Sequence, residues 1–140
     1  AETFYTEIGV IEDARAVRGY ATAMHDPTEG GLVDGLLELA SASGVGIDVE
    51  ESAIPIRPET RRICGAIGVD PLRIFGSGAL VATVPEAQLD AALSALKGVG
   101  IEAAEIGVVK EAETPAVTIG ESTHAEPVRD DLYALWEEGP

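Results

Sequence analysis

Apolar residues at Val10, Ile11, Ala14 and Val17 recur at helical spacing and predict a short helix ending near Gly19. Residues 20–24 read as a short buried strand, and Leu32, Val33, Leu36, Leu37, Leu39 and Ala40 form the apolar stripe of a helix over 32–42. That helix stops at Ser43-Gly44, after which Val45, Ile47 and Val49 alternate as a strand does. Pro58 and Glu59 open a helix running to Gly68, with Ile63, Ala66 and Ile67 expected inward. Asp70-Pro71-Leu72 reads as a turn and 79–84 as a buried strand. Pro85-Glu86 starts the next helix, whose Leu89, Ala92, Leu93 and Leu96 make one stripe closed by Gly98. Residues 101–109 and 116–119 are strand-like, and Leu132, Leu135 and Trp136 sit at helical spacing within 128–137.

The order is helix, strand, helix, strand, helix, strand, helix, strand, strand, helix. Such alternation predicts an α+β (mixed α/β) domain, a mixed sheet covered by helices. The last two strands, adjacent in sequence, depart from a clean doubly wound pattern. Neither an internal repeat nor a low-complexity segment interrupts the chain.

Composition narrows the classes of function. The 140 residues suit one domain, 1–140, and 46% of them are hydrophobic, so a core forms without staples. Against 25 Asp and Glu stand 9 Lys and Arg, giving a formal charge of −16. A surface that negative repels phosphate backbones and anionic membranes, so no nucleic-acid and no membrane partner is expected. With Lys97 and Lys110 the only lysines, this balance points to a protein of high salt, where carboxylate repulsion is screened over about 3 Å at 1 M. An ordinary acidic domain is the alternative. Cys64 is the sole cysteine, which excludes an internal disulfide and a cysteine-based zinc site. There is no secretory signal pattern and no apolar run of about 18 residues, so a cytoplasmic location is expected. The chain opens on Ala1-Glu2-Thr3-Phe4 without an initiator Met or a capping pattern, and further sequence is expected upstream.

Chemistry concentrates in His25-Asp26-Pro27-Thr28-Glu29-Gly30-Gly31, between a strand and an amphipathic helix. The unpaired first-turn N–H groups and dipole of such a helix receive anions, and Gly30-Gly31 let a phosphate or another backbone approach. Asp26 or Thr28 would fill the same role from within, as an N-cap.

The run from Met24 to Leu32, with Glu38 to Gly46, Ile54 to Ile56 and Gly68 to Leu72, resembles the C-terminal domain of the aminoimidazole ribonucleotide synthetase superfamily. The similarity is greatest to its hydrogenase-maturation branch, and Gly78-Ala79-Leu80-Val81, Val84-Pro85 and Ile106 to Val109 extend it over about residues 10 to 110. The resemblance implies that this domain closes over an active cleft, with Asp26, Thr28, Gly30 and Gly31 on the cleft loop. It further implies that ATP and Mg²⁺ belong to an N-terminal domain missing from this chain, which also forms the parent's homodimer. The chemistry implied is ATP-dependent activation of an amide or carboxamide oxygen, or phosphoryl transfer to a small acceptor. No cofactor or metal is expected in the present chain and no catalytic residue is assigned in it; alone it should be catalytically silent. Two departures from the maturation branch stand out: Glu29 where that branch often has Arg, and Trp136-Glu137-Glu138-Gly139-Pro140 where it ends on Cys. Alternatives are a stand-alone ligand-binding or assembly module and half of a purine-biosynthetic cyclo-ligase.

Gly76, Ser77 and Gly78 form either a second cleft loop or a simple turn. His25 is placed to act as acid or base or to make a structural hydrogen bond, and His124 is expected to be solvated. Cys64, after Arg61-Arg62-Ile63, reads as a small core residue, its reactivity the lesser alternative. Arg57, Arg61 and Arg62 either pair with nearby acids or bind an anion.

Overall fold

A computed structural model describes residues 8–138 of the chain, so the opening Ala1-Glu2-Thr3-Phe4 lies outside the described residues. The elements are α1 (Ile11–Val17), β1 (Ala23–His25), α2 (Gly31–Ser43), β2 (Val45–Val49), α3 (Pro58–Ile67), β3 (Val81–Thr83), α4 (Leu89–Gly98), β4 (Gly107–Glu111), β5 (Ala116–Ile119), β6 (Ser122–His124) and α5 (Asp131–Glu138). Single 3₁₀ turns at Glu51–Ala53 and Glu86–Gln88 complete them.

The fold is a mixed α/β arrangement with the strands in two sheets rather than one. A four-stranded sheet runs in the order β4-β2-β5-β6, and β1 pairs with β3 as a separate antiparallel ribbon. β2 lies antiparallel to β4 and parallel to β5, so Ile47 faces Val109 on one side and Val117 on the other. β4 and β5 are neighbours in sequence, yet β2 separates them. α2 covers this sheet. Its Val33, Leu36, Leu37, Leu39 and Ala40 are buried with Ile47 and Val49 of β2 and Val117 and Ile119 of β5. Each fully buried aliphatic side chain of this kind contributes about 1.5–3 kcal/mol of transfer free energy.

Four expectations shift, each for a local reason. The strand expected at 20–24 begins only at Ala23, because the N–H groups of Tyr20 and Ala21 are held by Val17 O at the end of α1. The strand expected at 101–109 is β4. Ile101 N–H bonds Leu96 O and Gly100 N–H bonds Lys97 O, a Schellman closure of α4 with Gly100 at φ 79, so those residues terminate a helix. Pairing starts at Gly107, where a Cβ would lie 2.1 Å from Asp48 O. β6 was not anticipated; Gly120 (φ 57) and Glu121 turn the chain so that Ser122 pairs with Ile119. In α3 the stripe points outward: Ile63 is 62% and Ile67 43% exposed, Ala66 is exposed, and Cys64 is the residue turned inward.

Candidate functional site

β1 delivers the chain to the loop between His25 and Gly31, where Pro27 is fully buried and anchors it. Gly35 lies one turn into α2, and a Cβ there would stand 2.6 Å from Pro27 Cβ, so the helix approaches the loop as only glycine permits. Thr28 O accepts hydrogen bonds from Gly31 N–H (3.2 Å) and Gly76 N–H (3.1 Å). Gly76 packs on the same anchor, with Pro27 O 2.7 Å from where its Cβ would be. The structure thus brings the two glycine-bearing segments, Asp26 to Gly31 and Gly76 to Gly78, into one surface. Within the second, Ala79 N–H bonds Gly76 O and Gly78 takes φ 94, a turn around an exposed Ser77.

Gly30 and Gly31 hold left-handed φ values of 71 and 66. A Cβ on Gly31 would fall 2.5 Å from both Leu72 O and Ile74 O. The close approach they permit is therefore that of the 72–74 backbone. The N-cap of α2 is Gly30, without a side-chain cap, so neither Asp26 nor Thr28 fills that position; both are exposed. Three donors at this helix start are already used. Gly31 N–H goes to Thr28 O, Val33 N–H to Leu72 O at 3.2 Å, and Gly30 N–H to Asp130 Oδ2 at 3.2 Å. An anion does sit at the helix N-terminus, and it is the protein's own carboxylate.

The C-terminal helix was expected from its stripe, but the contact of Asp130 and its neighbours with this surface was not anticipated. The sequence signal of Asp130 is an Asp pair just ahead of an apolar helical stripe, an N-cap signature. Its other oxygen, Oδ1, accepts Leu132 N–H at 2.9 Å. Around it, Asp34 Oδ1 accepts Val128 N–H at 3.2 Å and Arg73 O accepts Asp131 N–H at 2.9 Å. Arg73 Nε stands 3.3 Å from Asp131 Oδ1, and Tyr133 donates its hydroxyl to Glu29. Phe75 and Tyr133 meet edge to face at 6.3 Å between ring centroids. Residues 128–133 therefore bind the first glycine-bearing segment at Glu29 and Gly30, and meet the stretch ahead of the second at Arg73 and Phe75.

The remaining candidates separate from this surface or change character. His25 Nε2 lies 2.7 Å from Glu38 Oε2, a close pair not aligned as a hydrogen bond. His124 is in β6 opposite Val117 and half-buried, where solvation was expected. Burial, reinforced by the Asp70 charge, pushes the Cys64 thiol above its ordinary pKa; at 1% exposure this is a core sulfur. Arg57, Arg61 and Arg62 are exposed at the start of α3.

With the Gly30, Gly31 and Val33 amides engaged and Glu29 and Asp130 beside them, the start of α2 does not suit a polyphosphate. Among the described residues no group of three or more His, Cys, Asp or Glu is placed to hold a metal ion. What the surface presents outward is the Asp26 carboxylate, an acceptor, and the Thr28 and Ser77 hydroxyls, each both donor and acceptor. No helix of the described residues is long and apolar enough to cross a membrane.

Residues 5–120 match the family model described as AIR synthase related protein, C-terminal domain. The chain is 42% identical over 104 residues to the carbamoyl dehydratase HypE of Rhizobium leguminosarum bv. viciae, covering 72% of this chain and 30% of that protein. It superposes with TM-score 0.70 and 29% identity on a hydrogenase maturation protein HypE solved in complex with ATP, covering 91% of this chain and 39% of the other. Thiamine monophosphate kinase from Aquifex aeolicus gives TM-score 0.59 at 26% identity over 86% of this chain and 37% of that one. The chain thus spans less than a third of the length of that curated relative.

Proposed function

Because the chain belongs to the AIR synthase related family as its C-terminal domain, we propose that it is the cleft-closing domain of a longer ATP-dependent enzyme. Asp26, Thr28, Gly30 and Gly31 border the cleft, and Gly76, Ser77 and Gly78 form its second loop. The observation that carries this reading is the joining of the two segments at one carbonyl, Thr28 O, within a domain whose relatives include a protein solved with ATP. The ATP- and Mg²⁺-binding groups belong to the preceding half of the parent, which is this domain's partner and its dimerisation unit. That division agrees with a helix start where the Gly30, Gly31 and Val33 amides are internally bonded.

In this reading the chain's own residues bind and orient the acceptor. The Asp26 carboxylate accepts a hydrogen bond from a substrate N–H or O–H, and the Thr28 and Ser77 hydroxyls donate to its oxygen. The reaction class is ATP-dependent activation of a carboxamide oxygen or phosphoryl transfer to a small acceptor. The isolated chain is catalytically silent.

Asp26→Ala in the longer parent tests the assignment. Asp26 is exposed, so the melt should stay nearly unchanged while turnover falls about 10²-fold. A lowered melt with unchanged specific activity would make Asp26 a structural residue. Calorimetry of the isolated chain with Mg·ATP should show no saturable heat; saturable binding there would favour a self-sufficient ligand-binding module.

A further inference from the structure

Among the described residues, Asp130 is the buried charged side chain, 2% exposed. Its burial would be costly without partners, and it finds them on two different elements. Oδ1 takes Leu132 N–H at 2.9 Å and so caps α5, while Oδ2 takes Gly30 N–H at 3.2 Å, a hundred residues away in sequence, at the start of α2. The dipole of α2 adds to the attraction. A carboxylate has acceptors on both prongs, whereas an amide of the same shape has one acceptor and one donor. The double contact therefore requires a charged aspartate and not merely a residue of its size.

We propose that Asp130 is a positioning residue that fixes the 26–31 loop against the C-terminal helix, so that residues 128–133 complete the candidate site. Those residues fall outside the 5–120 stretch matched by the family model. The segment is tied in on both sides, to Asp34 through Val128 N–H and to Arg73 through Asp131. Gly30 stands at the meeting point, where a Cβ would lie 2.6 Å from Asp34 Cβ and 3.0 Å from Val128 O. The functional half of this inference rests on the cleft-loop reading above; the coupling between loop and helix does not.

Amide hydrogen exchange by NMR on the full chain, comparing Asp130→Asn and Asp130→Ala with the unaltered protein, tests the coupling. Asp130→Asn keeps an oxygen for Leu132 N–H and turns an NH₂ donor toward Gly30 N–H. Exchange at Gly30 should rise at least about tenfold and its proton resonance should move, while Leu132 stays protected. Asp130→Ala should expose both sites; because it removes both contacts it is the variant more prone to unfold, and the isosteric Asn variant decides the matter without it. Unchanged Gly30 exchange in Asp130→Asn, or equal loss at Gly30 and Leu132, overturns the proposal. In the longer parent, Asp130→Asn should lower kcat severalfold. Normal turnover by Asp26→Ala would remove the cleft-loop reading and leave the exchange result standing.

Discussion

The pair Gly30-Gly31 shows how one residue type serves two physical ends. Both positions need left-handed φ, and at Gly31 the 72–74 backbone also fills the space a side chain would take. Gly31→Ala therefore combines backbone strain with a clash against main chain that cannot rotate away, and is expected to cost about 2–4 kcal/mol in urea unfolding. A loss below about 0.5 kcal/mol would mean that the two segments are not held as described. The need for glycine was legible from the sequence, as was an approach by either a phosphate or another backbone. Which of the two approaches could not be read, because Leu72 and Ile74 are some forty residues away in sequence. Asp130 shows the same limit: its N-cap role was a local signal, but its second contact, Gly30, lies a hundred residues upstream.

At the scale of elements, α2 and α3 carry similar apolar spacing but opposite environments. α2 lies across β2 and β5 with Leu36 2% and Leu37 3% exposed, whereas α3 turns only Cys64 fully inward. Leu36→Ala should lower stability by about 2–5 kcal/mol, the range of core truncations that leave a cavity. Ile63→Ala, at 62% exposure, should change it by less than about 0.5 kcal/mol in the same denaturant titration. Equal losses at the two positions would contradict the packing. α1, α2 and α3 were read close to their true bounds because caps and stripes are local, whereas α4 begins at Leu89, after a 3₁₀ turn at Glu86–Gln88, and α5 at Asp131, each about three residues later than expected. Strand bounds were less legible. Ile101 has the composition of a strand residue, but its N–H is committed to closing α4.

For the whole molecule, a charge of −16 and a buried aliphatic core act on stability in opposite directions. If the surface is adapted to high salt, the melting temperature should rise by several degrees between about 0.1 M and about 2 M KCl, as screening shortens the range of carboxylate repulsion. A flat profile in differential scanning calorimetry would mark an ordinary acidic domain instead. By itself the sequence determined the mixed α/β class, the presence of the helices, the family and the segments where its polar groups gather, since periodicity, caps and spaced motifs are properties of neighbouring residues. Tertiary structure alone decided that β2 separates β4 from β5, that Thr28 O joins the two glycine-bearing segments, and that Asp130 supplies the anion at the start of α2. Each of these is a contact between distant parts of the chain, fixed by which hydrogen-bond donors and apolar faces remain unsatisfied once the local elements have formed.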